Sequence, residues 1–148
     1  MRSADANLFL YAANPASPHH LSAKSYFDTV AGDSGFVVCE LVLVEIYMQL
    51  RNPAVLRKPL RGPEAAHFCR ALRTHPTWQH VDYASEVSES LWTWASGSTT
   101  AYRQILDARL ALTLMHHGVT EFATANVKDF QAFPFQKVWN PTLSAGGP

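Results

Sequence analysis

The stretch Asp5-Ala6-Asn7-Leu8-Phe9-Leu10-Tyr11-Ala12 decides the fold of this chain. It places a carboxylate after a short N-terminal lead-in, an asparagine two positions later, and then an apolar run that has to be buried. Residues 1–4 form the start of a first strand, so Asp5 stands where the chain leaves it, and residues 7–13 form a helix that Asn14-Pro15 ends. The stretch therefore predicts a strand–helix unit with an acidic residue at the bend.

Two further carboxylates lie in similarly apolar surroundings. Glu45 lies within Leu41-Val42-Leu43-Val44-Glu45-Ile46-Tyr47, and Asp107 lies within Ile105-Leu106-Asp107-Ala108-Arg109-Leu110-Ala111-Leu112. A charge in such a frame is costly unless a cation or strong hydrogen-bond donors meet it. Three such carboxylates suggest one shared divalent metal ion.

Strands and helices alternate along the rest of the chain. Short apolar runs predict strands over residues 36–39, 79–83, 121–124 and 138–139, with helices between them. This alternation predicts an α/β fold, a three-layer α/β/α sandwich with a mostly parallel central sheet. Sites in such sheets form outside the carboxyl ends of the strands, so Asp5, Glu45, Asp107 and Asn126 are expected to face one crevice.

Turn and cap residues predict where several elements begin and end. Ser17-Pro18 and Gly62-Pro63 are expected to start helices, and Thr99 or Thr100 to cap a last long helix that ends at Gly118. Residues 126–129 are expected to be a loop. The length of 148 residues predicts a single domain over residues 1–141, followed by a disordered tail over residues 142–148.

Composition describes a globular chain with 47% hydrophobic and 16% charged residues. The net charge is zero, so the chain lacks the excess of basic residues that is typical of nucleic-acid-binding proteins. Carboxylates that bind a metal ion would account for part of the acidic residues. Polar residues interrupt any N-terminal signal sequence, and no apolar stretch is long enough to cross a membrane. We therefore expect a cytoplasmic protein without a membrane partner.

Four segments together resemble the PIN-domain family, and within it the VapC-like toxins of prokaryotic toxin–antitoxin pairs. They are residues 5–12, residues 41–45, Asp107-Ala108-Arg109-Leu110-Ala111, and Ala123-Thr124-Ala125-Asn126-Val127-Lys128-Asp129-Phe130. The resemblance implies a metal-dependent endoribonuclease that hydrolyses phosphodiester bonds in RNA. It also implies a homodimer and a cognate antitoxin protein as partner.

The carboxylates Asp5, Glu45 and Asp107 are the predicted ligands of Mg²⁺ or Mn²⁺, ions that prefer oxygen donors. Such an ion lowers the pKa of a bound water and neutralises charge on a phosphate. We count Asp129 with them as a candidate catalytic residue. Asn7 has a supporting role, as a hydrogen-bond partner of Asp5 or of the scissile phosphate, unless it only forms a turn.

The fourth acidic position departs from the family pattern. Many PIN domains place an Asp directly after the threonine-containing strand, whereas here Thr124-Ala125 leads to Asn126. Asn126 can bind the ion or its water through the amide oxygen, and Asp129 can supply the missing carboxylate or merely form a turn. The sequence leaves this choice, and the number of metal ions, open.

Each carboxylate also has a simpler interpretation. Asp5 could only cap a helix, Glu45 could lie on the surface paired with Arg51 or Arg57, and Asp107 could only complement a helix dipole. These interpretations require three unrelated coincidences. A shared metal site is the single explanation that covers all three carboxylates.

Arg51, Arg103 and Lys128 flank the acidic motifs and are candidate contacts for RNA phosphates, or simply solvated surface residues. An alternative function follows from Asn126: a degenerate PIN module that binds RNA or a protein partner without cleaving. A phosphatase or receiver-like domain ranks last, because Ala6-Asn7 provides no second acid beside Asp5.

Overall fold

Five parallel strands form the central sheet. In the computed structural model, which describes residues 1–143, the strands are β1 Arg2–Ala4, β2 Phe36–Cys39, β3 Gln79–Val81, β4 Glu121–Ala123 and β5 Lys137–Trp139. Their order across the sheet is β3-β2-β1-β4-β5, and all neighbours are parallel. β1 lies at the centre, with Ser3 aligned to Val37 on one side and to Phe122 on the other.

Helices cover both faces of the sheet. They are α1 Ala6–Ala13, α2 His20–Val30, α3 Glu40–Leu50, α4 Gly62–Arg73, α5 Ser85–Gly97, α6 Gln104–His116 and α7 Val127–Phe130. Crossovers between parallel strands are right-handed. The connections that step from β1 to β3 therefore place α1–α4 on one face, and those that lead back to β4 and β5 place α5–α7 on the other. The predicted three-layer sandwich is confirmed.

The direction of the connections reverses between β1 and β4. From β1 the chain proceeds to β2 and β3, whereas β4 lies against the opposite side of β1. Such a switch point leaves a crevice outside the carboxyl ends of the two strands. Asp5 directly follows β1 and Thr124 directly follows β4, so both lie at this crevice.

Aromatic side chains fill the layer between the sheet and α1–α4. The indole of Trp78 contacts the rings of Phe9, Phe27 and Phe36, with a centroid distance of 4.7 Å to Phe36. Its Nε1–H donates a hydrogen bond to the Val30 carbonyl oxygen at 2.9 Å, so the polar atom of this buried side chain is satisfied. The packing fixes α1 and α2 against the sheet.

Two predicted helix starts are wrong. The helix expected from Ser17-Pro18 begins at His20, because Ser17 Oγ instead accepts a hydrogen bond from the His19 N–H at 3.1 Å and forms a turn. The helix expected from Thr99 or Thr100 begins at Gln104, and the Thr100 N–H donates to Ser98 Oγ within the loop. In both places local side-chain-to-backbone hydrogen bonds compete with helix capping.

The segment after β4 also differs from its prediction. Residues 126–129, expected to be a loop, include most of the short helix α7, and Asn126 is its N-cap residue. The Asp129 N–H donates to the Asn126 carbonyl oxygen at 3.0 Å. Asn126 and Asp129, the two candidates for the fourth acidic position, therefore lie within one helical turn.

The structure describes the first two residues of the predicted tail, Thr142 and Leu143. Thr142 is buried, and its N–H and hydroxyl both donate to Asn140 Oδ1. Of the predicted tail, residues 144–148 lie outside the described residues. Within the described chain, none of the helices has the length and apolar character needed to span a bilayer.

Candidate active site

A cavity of about 560 Å³ opens at the switch point between β1 and β4. The carboxylates of Asp5, Glu45 and Asp107 line it together with the amides of Asn7 and Asn126. They come from the start of α1, the middle of α3, the first turn of α6 and the residue before α7. The structure thus brings together five of the residues that the sequence analysis selected.

Asp5 is held firmly at the end of β1. Its side chain is 7% exposed and caps α1 by accepting a hydrogen bond from the Ala6 N–H at 2.8 Å. The second carboxylate oxygen accepts from Thr124 Oγ1 at 2.8 Å and from Asn7 Nδ2 at 3.3 Å. Burial raises the pKa of Asp5, and these hydrogen bonds oppose that shift by favouring the charged form. Capping the helix and facing the cavity are compatible roles.

Thr124 is a site residue that the sequence reasoning missed. Besides donating to Asp5, its hydroxyl accepts a hydrogen bond from the Asn126 N–H at 3.0 Å. The Asn7 amide completes the link, because it donates to Asp5 and accepts from the Ala125 N–H at 3.2 Å. The predicted hydrogen bond from Asn7 to Asp5 is confirmed. The available signal for Thr124 was its position directly after a predicted strand, next to the candidate Asn126.

Glu45 carries the second carboxylate of the cavity, in the middle of α3. Burial, and to a smaller extent the charges of Asp5 and Asp107, together raise the pKa of its carboxyl from 4.5 to about 7. Within residues 1–143, Glu45 forms no salt bridge. The alternative of a surface Glu45 paired with Arg51 or Arg57 is therefore wrong.

Asp107 carries the third carboxylate at the start of α6. Burial, and to a smaller extent the charges of Asp129 and Asp5, together raise its pKa from 3.8 to about 6. Asp107 does occupy the first turn of its helix, where a negative charge is favourable. Its pKa is nevertheless raised, first by burial and then by the charges of Asp129 and Asp5, so Asp107 is electrostatically coupled to the other carboxylates of the site.

Asn126 and Asp129 have different relations to the cavity. Asn126 lines its wall, whereas Asp129 is exposed on α7 and is not part of the lining. The charge of Asp129 still raises the pKa of both Asp5 and Asp107. The Asn126 amide thus lines the cavity, and the Asp129 carboxylate contributes negative electrostatic potential from outside it.

The donor set fits a hard divalent cation. The polar side chains at the acidic end are all carboxylates and amides, and among the described residues no Lys, Arg or His lines the cavity. Within residues 1–143, however, no three His, Cys, Asp or Glu side chains are already arranged to hold an ion together. Mg²⁺ commonly retains several waters between itself and its ligands, so a wider spacing of the carboxylates is compatible with such an ion.

The three predicted phosphate contacts lie outside the cavity. Arg51 and Arg103 are exposed, and each guanidinium lies over a neighbouring tyrosine ring, at 5.7 Å from the centroid of Tyr47 and 5.6 Å from that of Tyr102. Lys128 is exposed on α7. Contacts between these residues and RNA remain a prediction, and they would lie outside the cavity.

Comparison with known proteins identifies the family. The chain is 46% identical to Ribonuclease VapC24 of Mycobacterium tuberculosis over 146 residues, which cover 99% of this chain and 100% of that protein. No protein-family model matches the sequence.

Solved structures share the fold at low sequence identity. VapC20 of M. tuberculosis, a Sarcin-Ricin loop cleaving toxin, superposes with a TM-score of 0.64 at 16% identity, over 82% of this chain and 87% of that one. A toxin–antitoxin complex from Klebsiella pneumoniae gives 0.62 at 17% identity, over 95% and 98% of the two chains. Because the identity with Ribonuclease VapC24 extends over the full length, the chain belongs to the VapC family of PIN-domain ribonucleases.

Proposed function

We propose that this protein is a metal-dependent endoribonuclease that hydrolyses phosphodiester bonds in RNA, as the toxin of a type II toxin–antitoxin pair. One observation carries the proposal: carboxylates from α1, α3 and α6 share a cavity whose described lining contains no cationic side chain. Family membership supports the same activity, since the full-length relative is named a ribonuclease.

Asp5, Glu45 and Asp107 are the residues that would hold Mg²⁺ or Mn²⁺. When bound, such an ion lowers the pKa of a water and neutralises charge on the phosphate. Without it, the pKa values of Glu45 and Asp107 are raised to about 7 and about 6. A positive charge between these carboxylates favours their ionised forms, so the acidic group and the cation stabilise each other.

The other polar residues position this group. Thr124 and Asn7 fix the orientation of the Asp5 carboxylate, and Asn126 places an amide at the wall, where it can orient a water or a phosphate oxygen. Asp129 adds negative potential. The degenerate module that the sequence also allowed has less support, because three carboxylates share the cavity despite the amide at position 126.

Chelation and metal titration test the proposal. RNA cleavage by the purified protein should disappear with EDTA and return with Mg²⁺ or Mn²⁺. Asp107→Asn should abolish cleavage, whereas Asp28→Asn, the same change at an exposed position of α2 outside the cavity, should not. Calorimetry should detect a metal site in the wild type and a weaker one in Asp107→Asn. Cleavage that persists in EDTA, or a titration without binding, would contradict the proposal and favour the degenerate module.

We also propose a cognate antitoxin and a homodimeric state. The antitoxin would carry a C-terminal segment that lays an apolar helix on this domain and directs a basic side chain into the acidic cavity. Support comes from the uncompensated carboxylates and from Val44 and Met48, which are 56% and 61% exposed on α3 beside a groove against α4. Inhibition that survives deletion of the antitoxin's C-terminal segment would contradict this binding mode.

Light scattering of the isolated protein tests for the homodimer.

A further inference from the structure

The cavity continues beyond the carboxylates along α1 and α3. On α1, Asn7 and Tyr11 lie one turn apart on the face that lines the cavity, and the C-cap residue Asn14 continues this line. On α3, Gln49 follows Glu45 by one turn. Seven residues of helix advance by about 10 Å, so this extension reaches well past the acidic end. We call it the neutral arm, lined by Tyr11, Asn14, Ser17, Gln49, Val55 and Leu56.

The neutral arm has the chemistry of a base-binding site. None of its six residues carries a charge, whereas phosphate groups are bound by cationic side chains or by clustered N–H donors. An aromatic ring, aliphatic side chains and neutral amides instead suit a planar, uncharged group with polar edges. Nucleobases of single-stranded RNA are recognised in this way, by stacking on aromatic side chains and by hydrogen bonds to their edges.

Tyr11 is held in place at the wall of the neutral arm. Its ring contacts the imidazole of His19, with centroids 4.8 Å apart and planes inclined by 47°. The Tyr11 carbonyl oxygen accepts a hydrogen bond from His20 Nδ1 at 3.1 Å, which ties the end of α1 to α2. The ring is therefore positioned by neighbouring residues before any ligand binds.

The two amides of the neutral arm are oriented as donors. Asn14 Oδ1 accepts from the Ala16 N–H at 3.1 Å, and Gln49 Oε1 accepts from Asn52 Nδ2 at 3.4 Å. Within residues 1–143, neither NH₂ group has a hydrogen-bond acceptor. Both amides thus offer N–H donors to acceptor atoms on the edge of a bound base.

We propose that the neutral arm binds the nucleobase adjacent to the scissile phosphate and sets the base preference of cleavage. This inference rests on the proposed function, because the carboxylates must act on RNA for the arm to lie beside the scissile bond. Tyr11 stacks on the base, and Gln49 and Asn14 donate to its edge.

Short RNAs with a missing base test the proposal. Once a cleaved bond has been mapped in an eight-nucleotide RNA, the base on either side is replaced by an abasic ribose, and kcat/KM is measured. Removal of one flanking base should lower kcat/KM roughly 5- to 150-fold, the range covered by stacking on an aromatic ring. Tyr11→Leu should show the same loss on intact RNA and no further loss on the abasic RNA, whereas Tyr11→Phe keeps the wild-type preference.

Gln49→Leu tests recognition of the base edge. It should reduce the differences in kcat/KM among RNAs that differ only in the base at this position. Gln136→Leu is the matched control, because Gln136 is exposed at the amino end of β5, whereas the cavity lies at the carboxyl ends of the strands. An unchanged base preference in Gln49→Leu would contradict the assigned role of this amide.

Other outcomes overturn the proposal as a whole. If both abasic RNAs are cleaved like the intact RNA, the arm does not bind a base. If Tyr11→Leu lowers kcat/KM equally on intact and abasic RNA, Tyr11 stabilises the folded protein and does not contact the base. If Tyr11→Leu impairs inhibition by the antitoxin and leaves RNA cleavage unchanged, the arm is a protein contact.

A binding measurement separates this inference from the proposed function. If the wild type cleaves no RNA under any metal condition, the proposed function fails, and fluorescence anisotropy with the same intact and abasic RNAs still tests the arm. A preference for intact RNA that disappears in Tyr11→Leu would support base binding without cleavage. Equal affinities for both RNAs would overturn it.

Discussion

Glu45→Gln is expected to stabilise the metal-free protein at neutral and alkaline pH. The folded protein holds the Glu45 proton more tightly than the unfolded chain does, because burial and the charges of Asp5 and Asp107 raise its pKa from 4.5 to about 7. The contribution of Glu45 to the free energy of unfolding is therefore fully favourable below pH 4.5. It declines as pH rises and is lost above about pH 7.

The size of the effect follows from the pKa shift. A shift from 4.5 to about 7 corresponds to at most about 3 kcal/mol, and solvent screening of this partly exposed carboxylate reduces it to about 1–2 kcal/mol. Glutamine has nearly the same shape and no charge, so it removes this penalty. For a chain of 148 residues, the melting temperature of Glu45→Gln relative to wild type should rise by roughly 2–8 °C between pH 5 and pH 8.

Thermal unfolding in EDTA across this pH range is the assay. Glu89→Gln, the same substitution at an exposed position of α5, should show no such pH-dependent gain. Adding Mg²⁺ at pH 8 should stabilise the wild type more than Glu45→Gln, because the ion offsets the same repulsion. A difference between Glu45→Gln and wild type that stays constant from pH 5 to pH 8 would refute the reasoning, since folding would then leave the pKa of Glu45 unchanged.

Three further predictions concern the site. Asp5→Asn and Asp107→Asn should each abolish RNA cleavage and leave the circular dichroism spectrum of the fold unchanged, and full activity in either would remove the assigned site. Calorimetry should show that Asn126→Asp tightens Mg²⁺ binding by about 1–3 kcal/mol and that Asp129→Asn weakens it. Weaker binding by Asn126→Asp would mean that the cavity already holds too much negative charge. Thr124→Val should lower the free energy of unfolding in urea at pH 7 by about 1–3 kcal/mol, because the buried Asp5 carboxylate loses a donor, and an unchanged value would show that another donor replaces it.

Much of the fold and part of the site could be predicted from the sequence. The alternation of apolar runs and helical segments predicts the parallel sheet, since each pattern reports local geometry and burial. Asp5, Glu45 and Asp107 could be selected because charges in apolar segments demand compensation wherever the chain places them. The strand Phe36–Cys39 has the predicted bounds, because a short buried run framed by glycine has few alternatives.

Other features depended on the tertiary structure. The helices predicted to start near Ser17 and Thr100 begin later in the structure. Local hydrogen bonds, which a cap pattern does not reveal, stabilise the turns before them. Thr124 became a site residue only when β4 paired with β1 and brought its hydroxyl within 2.8 Å of Asp5.

The sequence by itself determined the fold class, the family resemblance and the three carboxylates. Tertiary structure alone decided that Glu45 has no cationic partner among the described residues, that Asn126 rather than Asp129 lines the cavity, and that a neutral arm continues from the acidic end. The physical reason is the range of the interactions involved. Burial and periodicity act on neighbouring residues and are visible in a sequence, whereas electrostatic coupling and the shape of a cavity depend on distances between segments that only folding brings together.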